Sequence, residues 1–540
     1  MKLLKEKNMY KNLKLVFTVL ICTVAFVSCE DRLDLNTEDE RQSAENAFAQ
    51  EEAFEAFTAK LYAGYSVSGQ QGPAGQPDLV GLDEGFSNYM RLYFLMQTLT
   101  TDEAVIGWND GTIATLHNQT WTSGSEFIRT MYSRIMYQVA LTNEFIRQTE
   151  DAQLTNSGVS NELRATIQEY RAEARFLRAL SYWHALDLFG RPPRITENDP
   201  VGAYLPPQFE RTELFTYIEN ELLGIESEII GARQNDYGRA DQAAVWMLLA
   251  KLYLNAEVYT GTSRYSDVIT QVNKIINAGY SIPDVPYQNL FLADNDRNGA
   301  QDEFIFVIPF DGLNTQSYGL MTFLIHASIG GTMVPAEFGV IDGWAGLRTT
   351  QQFVEKFPGE AESDDSRAMF HTDGQNKIVT SIPQFSSGYA VTKWKNVDVD
   401  GNQGSDGSGI FPDTDFPMFR LADAYLMYAE AVLRGGGGST AQAVSYINEL
   451  RERAYGDTSG NITASDLTLN FILDERAREL YWENHRRTDL IRFDRFTTNG
   501  IWAFKGGVPQ GTTTPAFRNL MPIPASDLGV NTNLTQNPGY

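Results

Sequence analysis

Apolar side chains at Leu163, Ile167, Tyr170, Ala174 and Leu177 recur at offsets of 4, 7, 11 and 14 residues, which places all five on one face of a helix. A helix with such a stripe must bury it against another element. Val245, Leu248, Leu249, Leu252 and Ala256 form a second stripe, and after a Gly-Thr-Ser turn Val268, Val272, Ile275 and Ile276 supply its expected antiparallel mate. Ala429 and Val432, then Ala443, Ile447, Leu450 and Ala454 beyond "RGGGGST", repeat the arrangement. The pattern predicts a mainly α protein with a tetratricopeptide-like scaffold of helical hairpins, although the repeat is too irregular to be identified by its period. Between about residues 281 and 417 short apolar runs such as "EFIFVIPF" alternate with Gly, Asn, Asp and Pro. That texture suits loops and short strands.

The N-terminal segment has a different logic. Lys11 and Lys14 precede an apolar run from Leu15 to Val27, then Ser28 and Cys29. Thirteen helical residues cover only ~20 Å of a ~30 Å hydrocarbon core, so the order reads as a secretory signal rather than a span. A cysteine directly after the small residue resembles a lipobox, which makes Cys29 the expected lipidation site and a lipid the membrane anchor. Cys22, the one other cysteine, lies inside the segment to be removed. The alternative is an exported soluble protein with an idle cysteine near its cleavage point. Domain organisation follows as a signal peptide over 1–28 and a binding domain over 29–540, with helical scaffold at about 40–280 and 418–495, a loop-rich segment at about 281–417 and a C-terminal wrap over 496–540.

A formal net charge of −26 argues against nucleic acid as a partner. The sequence carries no Gly-x-Ser-x-Gly elbow, no phosphate loop ending in Gly-Lys and no paired-histidine metal motif among His117, His184, His326, His371 and His485. Those histidines read as packing or surface residues. Paired carboxylates for glycoside hydrolysis depend on the fold and stay open as an alternative.

Several stretches carry a family resemblance over nearly the whole chain: "PDLVGLDEG" at 77–85, "TDEA" at 101–104, "RAEARFLRALSYWHALDLFGRPP" at 171–193, "FGVIDGW" at 338–344, "FPDTDFPMFRLADAYLMYAEA" at 411–431, and "MPIPASDL" to "QNPGY" at the end. In this order, behind a lipobox, they resemble the SusD-like (RagB) outer-membrane lipoproteins, most closely the starch-binding kind. The acids Glu30, Asp31 and Asp34 after Cys29 resemble the surface-export signal of such lipoproteins; charge alone makes them a solvated tether. The resemblance implies a cell-surface protein without catalytic activity, lipid-anchored in the outer membrane, that binds α-glucan or maltooligosaccharide and partners a SusC-like TonB-dependent transporter. Within binding proteins the alternative is another glycan or peptides on the same scaffold; from another class it is a surface glycosidase.

Sugar binding needs flat apolar surfaces for the C–H faces of pyranose rings and a few polar groups for hydroxyls. Trp108, Tyr318 and Trp344 match the aromatic arc of starch-binding relatives; taken without that match, an aromatic is more often core. Arg91 matches a family arginine that donates hydrogen bonds to sugar hydroxyls, its plainer role being a surface salt bridge. Relatives carry an asparagine contact three positions after the tryptophan, where this chain has Gly111, so the resemblance implies either that Asn109 replaces it or that the contact is missing. The resemblance implies that the interval from Tyr318 to Trp344 is two residues longer than in a starch-binding relative, which bears on the geometry of the arc. Asp413 and Asp415 are two apart, so an extended backbone points both to one side, where they suit a hard cation; solvated loop acids are the alternative. Matching relatives add Asp296, giving an expected structural calcium and no catalytic cofactor.

Overall fold

The structure is a computed structural model that describes residue 48 and residues 52–540. The signal segment 1–28, Cys22, Cys29 and the acids at 30–34 lie outside the described residues. Among the described residues no helix is long and apolar enough to cross a membrane.

The helices that build the scaffold are α1 (Glu52–Ser66), α2 (Tyr89–Gln97), α3 (Glu126–Gln148), α4 (Asn161–Leu188), α5 (Arg211–Ile225), α6 (Gln242–Leu254), α7 (Tyr265–Asn277), α8 (Leu320–Ala327), α9 (Leu421–Leu433), α10 (Thr440–Tyr455), α11 (Leu469–Leu480) and α12 (Arg486–Arg492). From Phe54 onward the chain forms one compact unit. Successive helices pack as neighbours: α3 on α4, α4 on α5, α5 on α6, α6 on α7, α7 on α9, and α9 on both α10 and α11. The two hairpins expected from the stripes, α6/α7 and α9/α10, are both present. In α7 the stripe is buried at Val268, Val272 and Ile275, while Ile276 is half-buried.

Two helices depart from the expectation of one apolar face. The first turns of α4 are exposed or half-buried apart from Ile167, and Ser160 caps them by accepting from the Leu163 N–H at 3.2 Å. From Ala172 onward, however, nearly every residue is buried, including Glu173, Arg178, His184 and Asp187. Helix α6 is buried over almost its whole length behind an Asp241 cap that accepts from the Ala243 and Ala244 N–H groups. Each fully buried Leu, Ile or Val there is worth ~1.5–3 kcal/mol, so packing rather than helix propensity sustains these elements.

The strands are short and form three two-stranded antiparallel sheets: β1 (Val105–Ile106) with β3 (Leu347–Arg348), β2 (Phe304–Ile308) with β6 (Phe416–Arg420), and β4 (Phe370–His371) with β5 (Ala390–Val391). The rest of the segment 281–417 is loop, short 3₁₀ turns and the one-turn helix Gln351–Val354, with one larger departure from the reading above. It contains α8, "LMTFLIHA", buried at every position. The C-terminal residues follow the scaffold closely: the Met521 N–H donates to Leu188 O at 2.7 Å, Asn537 Nδ2 to Phe189 O at 2.8 Å, and Trp121 Nε1 to the Tyr540 hydroxyl at 2.6 Å.

Helices and loops are joined through buried charge. Glu479 of α11 accepts from Arg367 at 3.0 Å, Arg420 at 2.6 Å and Arg453 at 2.6 Å, and Arg420 also reaches Glu303 at 2.7 Å and Glu483 at 2.6 Å. Burial raises the Glu479 carboxyl, but Arg453, Arg420 and Arg367 outweigh it and hold it down at about 2. A carboxylate lowered in the fold contributes stability that is complete above its unfolded value and lost as pH falls through its folded value. Glu479→Gln, which leaves three guanidiniums short of an anion, is expected to cost ~3–5 kcal/mol at neutral pH. The gap from wild type should close as pH falls from about 4.5 toward 2. Urea unfolding of both chains across that range checks it; a variant as stable as wild type at pH 7 contradicts it.

Candidate functional site: an aromatic arc on three chain segments

Trp108, Tyr318 and Trp344 come together from three distant segments. The ring centroids of Trp108 and Trp344 are 6.3 Å apart with planes inclined at 45°, and those of Tyr318 and Trp344 are 6.2 Å apart at 44°. All three rings are half-buried, so each has one part packed and another part facing solvent. Phe411 extends the row behind Tyr318, at 5.5 Å. The turn of about 45° from plane to plane makes the surface curved.

Each ring is held by identifiable bonds. Trp108 follows β1, whose pairing with β3 brings Gly107 N to Gly346 O at 2.9 Å and Trp108 Nε1 to Trp344 O at 3.2 Å. Gly346 is required here, because a Cβ would sit 2.6 Å from Trp108 Cε2. The Trp344 N–H donates to His326 O at 2.7 Å, and the His326 imidazole stacks on the Trp344 ring at 4.6 Å and 23°. The nitrogens of that imidazole reach Asp342 Oδ1 at 2.8 Å and Ile410 O at 2.9 Å, fixing its plane. His326 is therefore a packing residue, as expected of the histidines, but one that positions the platform. Nothing in its sequence context marked it, since α8 itself was not foreseen.

Tyr318 ends a strap, residues 309–319, that is clamped at both ends. Glu84 accepts from Ser317 Oγ at 2.5 Å and from the Tyr318 N–H at 2.9 Å. Asn88 Oδ1 caps two helices at once, accepting from the Arg91 N–H of α2 at 2.9 Å and the Leu320 N–H of α8 at 3.3 Å. Arg91 is only 4% exposed. It stands behind the arc, with its guanidinium 3.9 Å from the Phe86 ring centre and 4.2 Å from that of Phe323, and NH1 donating to Tyr318 O at 2.9 Å. Burial lowers it to about 9, against the pull of Asp83, Glu84 and Asp110, so it remains cationic at neutral pH. The structure thus gives Arg91 neither a surface salt bridge nor an open position; its bond within the protein is to the backbone of Tyr318.

Asn109 is exposed beside Trp108. The departure at Gly111 has a steric cause. Its φ is +46°, and a Cβ would lie 1.7 Å from Glu126 Oε1, whose carboxylate accepts from the Thr112 N–H at 2.7 Å and the Thr112 hydroxyl at 2.8 Å. An asparagine at 111 would displace that clasp.

Asp413 and Asp415 do point to one side, and what they hold there is the strap. Asp413 Oδ1 accepts from the Gly312 N–H at 2.7 Å and Ser405 Oγ at 2.6 Å, and its Oδ2 from the Ser405 N–H at 2.6 Å. Asp415 accepts from the Phe310 N–H at 2.7 Å and the Tyr237 hydroxyl at 2.8 Å. Burial, then the nearby charges of Asp296 and Asp413, push the Asp415 carboxyl up to about 7. Asp296 instead pairs with Arg297 at 2.7 Å. An all-oxygen donor set with uncompensated negative charge suits a hard cation, but the three carboxylates form no ready cage: among the described residues no three His, Cys, Asp or Glu side chains converge to hold an ion.

The family model described as "SusD family" matches residues 372–540. The starch-binding protein SusD of Bacteroides thetaiotaomicron is 37% identical over 98% of this chain and 99% of its own length. Among solved structures, a SusD superfamily protein from Parabacteroides distasonis is 23% identical with a TM-score of 0.68, covering 91% of this chain and 99% of that one. Surface glycan-binding protein A from Bacteroides thetaiotaomicron, in complex with laminarihexaose, is 18% identical with a TM-score of 0.67, covering 90% of this chain and 99% of that one. The chain belongs to the SusD family.

Proposed function

We propose that this SusD-family protein is a glycan-binding protein of the cell surface that captures starch or maltooligosaccharide on the Trp108–Tyr318–Trp344 arc and passes it to a SusC-type TonB-dependent transporter, without catalysing a reaction. The observation that carries the reading is the arc itself: three half-buried rings in one row, turning by 45° and 44°. Successive glucose units of an α-glucan follow a helical path, so a curved row of platforms meets their C–H faces where a flat β-linked chain would touch fewer. Asn109 and Asp342, both exposed beside the rings, are placed to meet hydroxyls. The 37% identity to a starch-binding protein supports the same ligand.

Each stacked ring is worth ~1–2 kcal/mol by analogy with other aromatic contacts, or a factor of about 5–30 in affinity. Single alanine variants at 108, 318 and 344 are expected to weaken cyclodextrin binding by that factor in isothermal titration, with the triple variant silent at millimolar ligand. Melting should stay within a few degrees of wild type, and reducing ends in the same samples should stay constant. A normally folded triple variant that still binds as wild type refutes the arc.

Two further parts of the reading have their own tests. Lipid attachment through Cys29 predicts that Cys29→Ala no longer incorporates a palmitate analogue and leaves the membrane fraction; continued labelling contradicts it. A structural calcium requires Asp296 to leave Arg297 and join Asp413 and Asp415; such a site predicts that added calcium raises the melting temperature by mass action and that Asp413→Asn/Asp415→Asn removes the response. Identical melts with calcium and with chelator reject that site.

A further inference from the structure

The strap that ends in Tyr318 has a second side. Pro309 and Thr315 form one wall of a cavity of about 360 Å³, closed by α1 and by the turn at Asp236–Arg239. Its size falls within the ~300–1,000 Å³ of small-molecule sites. Three tyrosines, Tyr62, Tyr170 and Tyr237, line it. Two of them are locked through their hydroxyls. Tyr62 donates to Glu173 Oε2 at 2.5 Å and accepts from the Ala240 N–H at 3.0 Å, and Tyr237 donates to Asp415. Tyr170 lies against the Arg239 guanidinium, 5.0 Å from its ring centre, and that guanidinium is anchored on Glu173, Nε to Oε2 at 3.1 Å.

The rings are thus fixed while their faces border open space. The charge of Arg239 is already met by buried Glu173, which leaves two exposed carboxylates at the cavity, Glu55 and Asp236. The nearest cation to Asp236 is Arg239 NH1 at 3.7 Å, beyond hydrogen-bond reach. Gly238, at φ +82°, keeps the strap against this turn, since a Cβ there would come within 2.4 Å of Pro309 Cγ. Aromatic faces, two of them held through their hydroxyls, suit the C–H surface of a sugar ring, and the carboxylates of Glu55 and of Asp236, the latter paired with Arg239 only at 3.7 Å, accept its hydroxyl protons. The same carboxylates repel a uronate or a phosphate.

We propose that this cavity, lined by the strap but by none of the arc's rings, is a second binding site, for a neutral mono- or disaccharide; the choice of a sugar rests on the glycan reading above. The test uses the full chain and saturation-transfer NMR with maltose, with glucuronate and tetramethylammonium as competing probes. Trp108→Ala/Tyr318→Ala/Trp344→Ala silences the arc. In that background maltose should still receive saturation, and adding Glu55→Ala and Tyr170→Ala should weaken the residual binding by about fivefold or more. The same two changes in the wild-type chain should leave the arc's cyclodextrin affinity unaltered. Glu55→Ala alone, at an exposed position, guards against misfolding and should show the loss in reduced form. Wild type that binds maltose while the arc-silenced chain does not overturns the second site and leaves the glycan reading standing. Residual binding indifferent to Glu55 and Tyr170, or displaced by glucuronate or tetramethylammonium, also overturns it. Absence of maltose and cyclodextrin binding in every chain overturns both.

Discussion

The structure depends on charge buried along one stretch of chain, residues 475–492. Glu475, Glu479, Glu483, Arg486, Arg487 and Arg492 are all buried, and each meets an opposite charge from a different part of the fold. Glu475 pairs with Arg367 at 2.8 Å, Glu483 with Lys393 at 2.7 Å and Glu479 with Arg420 at 2.6 Å. Arg486 grips Asp102 with two bonds of 2.7 Å, Arg487 meets Asp187 at 2.8 Å and Arg492 meets Glu430 at 2.7 Å. Taking such charges out of water is costly, and their attraction offsets the cost only when every partner is in place. A misdocked loop would leave a buried charge unpaired, a penalty of several kcal/mol. The network therefore favours one arrangement of the loop-rich segment on the helices, because Arg367, Lys393 and Arg420 all belong to or border that segment.

From this anchor the order passes to the arc in short steps. Asp102, held by Arg486, lies three residues before β1, and β1 leads directly into Trp108. Glu303, paired with Arg420, immediately precedes β2, and β2 leads into the strap. There Asp413 and Asp415, just before β6, take up the strap's backbone N–H groups, and Glu84 takes up those at its far end. Binding residues on loops are commonly mobile. Here the loops inherit the rigidity of the scaffold, so the rings are ordered in folding; on the proposed reading, little side-chain entropy remains to be lost when a glycan stacks on them.

What could be read from the sequence follows the same physics. Stripes on α7 and α10 were legible because one face of each helix meets water, which preserves a 3.6-residue period. The second half of α4, and α8, were not, because an element buried all round has no polar face to set a period. The charged residues of 475–492 were opaque for the opposite reason: runs of Glu and Arg ordinarily lie at the surface, and only the fold reveals partners 59 to 384 residues away. The three ring positions were legible through family resemblance, whereas their supports were not, since Glu84, Asn88 and His326 act through geometry. The spacing of Asp413 and Asp415 predicted the shared direction of their side chains correctly, yet could not say that backbone amides would occupy it.

The curvature of the arc is the least local property of the molecule. Trp108 and Trp344 are fixed to each other by the β1–β3 pairing and by the bond from Trp108 Nε1 to Trp344 O, so their mutual angle is set within one small sheet. Tyr318 is fixed to neither by a backbone ladder; its place comes from Glu84, Arg91 and the two strap-holding aspartates. Changing the length of chain between 318 and 344 therefore leaves the tryptophan pair intact and acts on the third ring alone. The bend of the surface therefore turns on the placement of one tyrosine.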